Sequence, residues 1–329
     1  VGGLYQFKLF IDSNIILRIV TFCTQPIRAD FMCGIVGLFS KSENIESHLG
    51  AYLAQMLIEM TERGPDSAGI AIYRTPTDKS HTKLTVLSPK HDYNWKKVSD
   101  DLSQHYDGHV NFEVRGNQTT YIVPGTEEGI TAWLHSHHPD LKLISSGHAI
   151  EIYKAMGLPS HIIKLFNIKE LTGTHALGHT RMATESAVTT HHSHPFSTGE
   201  DLCLVHNGSL SNHNRLRRTL QKKGIIFHTD NDSEVAAGYI ASRLQQDDNL
   251  DEALAAAIHD LDGFYTFAVG TKNGFAVLRD PIACKPAIIA ETDDWVAMAS
   301  EYRAIAVLPG AKDAHCWEPA PAQIYSWKH

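Results

Sequence analysis

The chain has no apolar run long enough to cross a bilayer. Its one suggestive stretch, before position 32, is broken by Lys8, Asp12 and Arg18 and is followed by no small-residue cleavage pattern, so neither a membrane span nor a secretory signal is expected. Basic residues are outnumbered, 29 against 37 acidic, for a net charge of −8. That balance excludes the positive footprint of a nucleic-acid binder and disfavours an anionic membrane surface as partner. Cysteine is sparse and scattered: Cys23, Cys33, Cys203, Cys284 and Cys316 are an odd number without a Cys-x-x-Cys pair, which argues against a disulfide framework or a structural zinc site. A reducing, cytoplasmic setting is expected. No Gly-x-Gly-x-x-Gly opens a helix, so a dinucleotide domain is not expected, and no internal repeat or low-complexity tract is present.

What remains is ordinary globular composition, 43% hydrophobic and 20% charged over 329 residues. Histidine is abundant, with clusters at His135-Ser136-His137-His138 and His191-His192-Ser193-His194. They read either as metal ligands or as loop polarity. The absence of helical spacing and of paired cysteines or carboxylates favours the second, and no metal is expected.

Cys33 to Ser40 reads as a short buried strand. Leu49, Leu53, Met56, Leu57 and Met60 then recur at helical spacing up to the stop at Arg63-Gly64-Pro65, and Ala68 to Tyr73 reads as a second strand. An insert at about 75–173 is of mixed character, with helices around Val98 to His105 and Thr126 to Leu134 and strands at Leu84 to Leu87 and Thr119 to Val123. Beyond it come strands at His175 to Thr180 and Asp201 to His206, a helix from an N-cap at Ser211 to a stop at Gly224, and a helix over Asp232 to Leu244. Phe264 to Gly270, Gly274 to Arg279, Ala287 to Ala290 and Trp295 to Ala299 read as an antiparallel meander. Two sheets with helices outside accommodate the whole set.

Cys33 carries the most chemistry. It follows Met32, and if Met32 is the true initiator its removal leaves a thiol and a free α-amine on one residue. An amide nitrogen cannot take a proton, whereas an α-amine of pKa near about 8 can act as base at neutral pH. Residues 1–32 are therefore expected to be an upstream-start artefact or a propeptide, with the folded domain over 33–329. Taken alone, Cys33 reads better as a buried structural thiol in a strand, since free cysteine is usually a small core residue.

Four short blocks give that choice its context: Cys33-Gly34-Ile35-Val36-Gly37; Arg63-Gly64-Pro65-Asp66-Ser67-Ala68-Gly69; Gly178-His179-Thr180-Arg181-Met182-Ala183-Thr184; and His206-Asn207-Gly208 with Asp232-Ser233-Glu234 after it. In this order they resemble the class II glutamine amidotransferases, the N-terminal-nucleophile glutaminases, from about Cys33 to the C-terminus. The resemblance implies an α+β fold, a four-layer αββα sandwich of two antiparallel sheets. It implies that Cys33 attacks the side-chain amide of glutamine while its α-amine moves the protons. The Asn207 side chain and the Gly208 backbone N–H would hold the oxyanion, Arg181 and Thr184 would bind substrate with Arg181 on the α-carboxylate, and Asp232 would take the α-ammonium. Arg63 and Asp66 would anchor the loop beside the nucleophile. Read without the family, Asn207-Gly208 is a tight hairpin turn, Arg181 a charge on a strand edge and Asp232 a helix N-cap.

Where hexosamine-forming relatives carry tryptophan and histidine, this chain has Met182 and Glu185. The long insert is more like that of glutamate-synthase-like systems. No acceptor-activating segment is read beside the glutaminase blocks, so ammonia is expected to pass to separate synthase subunits of a hetero-oligomeric complex. The resemblance is closest to the glutaminase subunit of N-methylglutamate synthase and similar complexes, whose partner subunits would carry FMN and an iron–sulfur cluster while this chain carries no cofactor. A stand-alone glutaminase or γ-glutamyl amidase, and a non-catalytic glutamine-sensing subunit, are the alternatives.

Overall fold

The computed structural model describes residues 33–90, 92–182 and 189–329. In chain order the first half contains β1 (Gly34–Ser40), α1 (Glu43–Glu59), β2 (Ser67–Tyr73), β3 (His81–Leu87), α2 (Trp95–His105), β4 (Asn111–Arg115), β5 (Gln118–Pro124), α3 (Glu127–His137), β6 (Lys142–Gly147), β7 (Ile150–Met156) and α4 (Pro159–Leu165). The second half contains β8 (His175–Arg181), β9 (Cys203–Leu210), α5 (His213–Lys222), α6 (Asp232–Leu244), α7 (Leu250–Asp260), β10 (Gly263–Thr271), β11 (Gly274–Arg279), β12 (Ile288–Glu291), β13 (Trp295–Ala299), α8 (Tyr302–Ala306), β14 (His315–Trp317) and β15 (Ile324–Lys328).

Strand β1 lies within a seven-stranded antiparallel sheet ordered β14-β12-β13-β1-β8-β2-β7. Its alternation explains its place. Val36 and Leu38 join the core under α1 with Leu49, Leu53 and Leu57, while Ile35 and Phe39 point the other way, into a core shared with Cys203, Val205, Ala268 and Phe275 of the opposing sheet. Both faces are therefore covered, and a continuous apolar run results instead of a polar alternation. The opposing sheet is β15-β11-β10-β9, and its outer face is covered by α6 and α7 through Val235, Ile240 and Leu254. Helices on sheet on sheet on helices make the four-layer αββα sandwich.

The meander expected at the C-terminal end divides between the two sheets. Strands β10 and β11 pair in the four-stranded sheet, whereas β12 and β13 pair in the seven-stranded one. Alternation and turn residues report strands but not which sheet receives them. The insert forms a third sheet, β4-β5-β3-β6, with its own core of Leu84, Val98, Leu102, Tyr121 and Trp133 under α2 and α3. It then returns β7 to the edge of the main sheet. A buried ion-pair cluster joins the two: Glu151 on β7 receives Lys83 at 3.1 Å, Arg74 at 3.2 Å and the Tyr153 hydroxyl at 2.9 Å.

Local caps also differ from the sequence reading. Asn212 takes the N-cap position of α5 in place of Ser211, without a side-chain cap hydrogen bond, and the Ser211 hydroxyl donates to Asp262. Asn231 caps α6 by accepting from Ser233 N, which frees the Asp232 carboxylate from that role.

Candidate active site

Cys33 stands one residue before β1, half-buried, where the starts of β1 and β2 meet the end of β8: Gly34 pairs with Thr180 and Ser67 with Arg181. Its Sγ lies 3.9 Å from the carbonyl oxygen of Met182, the residue after β8. Its own carbonyl oxygen accepts two side-chain hydrogen bonds, one from Asn207 Nδ2 at 3.0 Å and one from Arg63 Nε at 3.2 Å. Arg63 is 6% exposed and is held from its far side by Glu301, Nη1 to Oε1 at 2.6 Å. Residues from three of the four blocks thus converge on one backbone carbonyl and one thiol. Asp66 acts through its backbone: its N–H donates to Arg181 O at 3.1 Å and its carbonyl accepts from Gly157 N at 2.8 Å, tying the loop after α1 to β8 and β7.

Asn207 and Gly208 are not a hairpin turn. Strand β9 continues through both to Leu210, with Asn207 opposite Thr266 and Gly208 opposite Tyr265 on β10. Glycine is needed for close approach. Gly208 has φ 150°, and a Cβ there would overlap Phe264 O and come within 2.7 Å of Tyr265 Cα. Two residues on, Leu210 N donates to Asp232 Oδ2 at 2.9 Å, so the first residue of α6 is fixed against the end of β9. The other Asp232 oxygen lies 3.8 Å from His206 Nδ1, which in turn meets Ser233 Oγ at 2.9 Å. Arg181, 5% exposed, closes β8 one residue before Met182. Thr184 and Glu185 lie outside the described residues, as do residues 1–32.

Burial pushes the Cys33 thiol up from its ordinary pKa, and the Met182 carbonyl and the charges of Arg181 and Lys285 only partly offset this. A protonated thiol is a poor nucleophile, so this site needs a base beside sulfur. The α-amine released by cleavage after Met32 would stand on the same residue. With such a base, the arrangement can perform nucleophilic attack on an amide carbonyl.

Sequence reasoning missed Glu301, which holds Arg63, and a second layer beneath the site. His179, fully buried on β8, directs Nε2 to the His206 carbonyl at 3.0 Å, and its ring stacks on His194 at 3.9 Å. His191 and His194 belong to one of the two histidine clusters, but among the described residues no three His, Cys, Asp or Glu side chains gather as a metal site. Burial holds His179 down to about 3 and His194 well below its ordinary value, so both are neutral packing groups.

Residues 179–307 match the family model of the glutamine amidotransferase domain. The chain is 50% identical over 301 residues to the glutamine amidotransferase-like protein GlxB of Rhizobium meliloti (strain 1021), covering 91% of this chain and 99% of that protein. It is 30% identical over 167 residues to the amidophosphoribosyltransferase of Methanocaldococcus jannaschii, covering 50% of this chain and 36% of that one. Among solved structures, the glutamine phosphoribosylpyrophosphate amidotransferase from B. subtilis, complexed with ADP and GMP, superposes with a TM-score of 0.57 at 19% identity. That match covers 90% of this chain and 49% of the larger protein, and at this identity it speaks for the fold alone. Nearly full-length identity at the level of one residue in two, joined to the sandwich fold, places this chain among the glutamine amidotransferases.

Proposed function

We propose that this chain is a glutaminase subunit whose active form begins at Cys33. The observation that carries the reading is the convergence of Asn207 and Arg63 on the Cys33 carbonyl. It fixes the nucleophile's backbone, and with it the place where an α-amine would sit, while the thiol lies 3.9 Å from the Met182 carbonyl oxygen.

In this mechanism the α-amine takes the thiol proton as Sγ attacks the amide carbon of the glutamine side chain. The carbonyl π electrons move to oxygen. Asn207, whose Nδ2 carries a second N–H beyond the one given to Cys33, and the Gly208 N–H hold that charge; one such donor contributes about 3 kcal/mol to rate. Collapse breaks the C–N bond, the proton goes to the leaving nitrogen, ammonia departs and a thioester remains. Water then attacks the thioester to release glutamate and restore the thiol. Arg181 and Asp232 pair the α-carboxylate and α-ammonium of the substrate, and Thr184, outside the described residues, is the third substrate-binding residue of this reading. A zwitterion is selected by satisfying both its charges at once.

Ammonia freed into water is protonated and loses its nucleophilicity, so its acceptor is placed on a synthase partner. N-methylglutamate synthase and glutamate-synthase-like complexes are the systems that this reading favours. Flavin and iron–sulfur chemistry would then belong to the partners.

The test is coupling. Glutamate release is measured with the chain alone, with candidate synthase subunits, and with an amine or keto-acid acceptor added. Slow turnover alone and acceleration of ten-fold or more by partner and acceptor is the expected result, since about 1.4 kcal/mol of transition-state stabilisation suffices for it. Fast turnover indifferent to every partner favours a stand-alone glutaminase or γ-glutamyl amidase. Glutamine binding without turnover under any condition favours a sensing subunit.

A further inference from the structure

The seven-stranded sheet is wider than the four-stranded sheet facing it, so β2 and β7 need other cover on their inner face. The segment before β9 supplies it. Phe196 exchanges backbone hydrogen bonds with Leu204 on β9, at 3.0 and 2.8 Å, and extends the smaller sheet by one irregular strap. The strap runs over three residues in register on adjacent strands: Lys154 on β7, Gly69 on β2 and His179 on β8. Gly69 leaves the room, since a Cβ there would overlap the carbonyl oxygen of His194.

Lys154 is the anomaly in this layer. Ile150 and Ile152, its predecessors on the same face of β7, belong to the core between the sheets, yet the next inward position carries an ammonium that is 4% exposed. Its Nζ donates to Ser193 O at 2.8 Å and Pro195 O at 3.0 Å, with His191 O at 3.5 Å, and lies 4.9 Å from the centre of the Phe196 ring. Among the described residues, three titratable groups face it. Glu234 on α6 has both oxygens committed to His228 N, Thr229 N and the Thr229 hydroxyl, and His191 and His194 stand on the strap. Burial pushes the Lys154 amine down to about 7, and an amine held there by main-chain carbonyls in place of a carboxylate is an expensive way to fill space. What it fills is a clamp on two alternate carbonyls, with the His194 ring between them pressed onto His179. The Nε2 atom of His179 donates to the carbonyl of His206, whose neighbour Asn207 reaches Cys33.

We infer that Lys154 is a positioning residue for glutamine hydrolysis: by clamping the Ser193-His194-Pro195 strap over His179, it fixes the stretch of β9 that carries Asn207. The inference rests on the assignment of Asn207 as an oxyanion donor. Lys154 touches neither substrate nor nucleophile. It acts on the donor whose contact strengthens in the transition state, so its loss should appear in kcat and not in KM.

The experiment compares Asn207→Ala, Lys154→Met, Lys154→Gln and the Lys154→Met/Asn207→Ala double variant in the full expressed chain. Glutamine turnover is normalised to the folded fraction from thermal unfolding. Lys154→Met is expected to lower kcat ten-fold or more with KM changed less than about two-fold. Lys154→Gln, whose amide can still donate to one or two of the carbonyls, should retain more activity and serves if the methionine variant does not fold. The double variant should be no slower than Asn207→Ala alone, because both changes remove the same contact. Unchanged kcat in the lysine variants, a loss confined to KM, or a loss that multiplies with that of Asn207→Ala would overturn the inference while leaving the oxyanion assignment standing. If Asn207→Ala itself leaves kcat intact, that assignment fails and this inference fails with it.

Discussion

The Asn207 side-chain amide donates to the Cys33 carbonyl oxygen at 3.0 Å, across 174 positions of sequence. One contact therefore joins the residue before β1 to the strand that carries the fourth block. It ties the backbone of the proposed nucleophile to the proposed oxyanion donor as a single mechanical unit. Asn207→Ala should cut turnover by roughly 100-fold or more, by the size usual for one lost donor, while KM moves little. Steady-state glutaminase kinetics check this.

Arg181 and Asp232 lie on opposite flanks of that unit, one at the end of β8 and one at the start of α6. Replacing either with alanine should weaken glutamine capture by about 2 to 5 kcal/mol, because one charge of the zwitterion is left unpaired in a partly buried site. Calorimetry of glutamine binding to Cys33→Ala protein carrying each substitution measures it. Unchanged affinity in both would return them to structural duty.

Gly208→Ala should fail for a different reason. The residue holds φ 150°, and its Cβ would overlap Phe264 O, so strain of roughly 1 to 3 kcal/mol adds to the clash. A fall of several degrees in melting temperature, together with lost activity, is expected from thermal unfolding and turnover measured side by side.

Much of this was legible in the sequence. The four blocks, through their resemblance to the class II glutamine amidotransferases, singled out Cys33, Arg63 and Asn207, which the structure joins by hydrogen bonds to the Cys33 carbonyl; β1 follows from its apolar run and α1 from its helical spacing. The hairpin reading of Asn207-Gly208 failed because glycine serves close strand approach as well as turns, and sequence alone does not separate the two. Sheet membership was not legible either: β11 and β12 alternate alike but join different sheets, decided by partners far along the chain. In the insert the helices α2 and α3 and the strands β3 and β5 were legible, but not β4, β6 or the common sheet, because its core is built from residues spread over four separate elements and the segments between them. Lys154 did leave a signal, a charge in the inward register of Ile150 and Ile152, but burial of that strand edge had first to be known.

Acid should unfold the protein early. Burial holds His175 and His179 down to about 3 and His191 to about 4, with His194 also well below its ordinary value. Each is therefore less protonated when folded than when unfolded between roughly pH 6.5 and those values. Stability is fully present above about pH 6.5 and is lost as pH falls through that window. Melting temperature followed from pH 7 to pH 4 should drop steeply, and His194→Phe, which keeps an aromatic ring on His179, should flatten the slope. A flat acid limb in the unsubstituted protein would contradict the neutral-histidine packing.

The central claim is that Cys33 is a nucleophile with its own free amine. Its most direct test is peptide mass spectrometry of protein inactivated by an electrophilic glutamine analogue. The account predicts one adduct per chain, on a peptide that begins at Cys33 and carries an unblocked amine. An adduct on Cys203, Cys284 or Cys316, or active protein in which Cys33 remains joined to Met32, would contradict it.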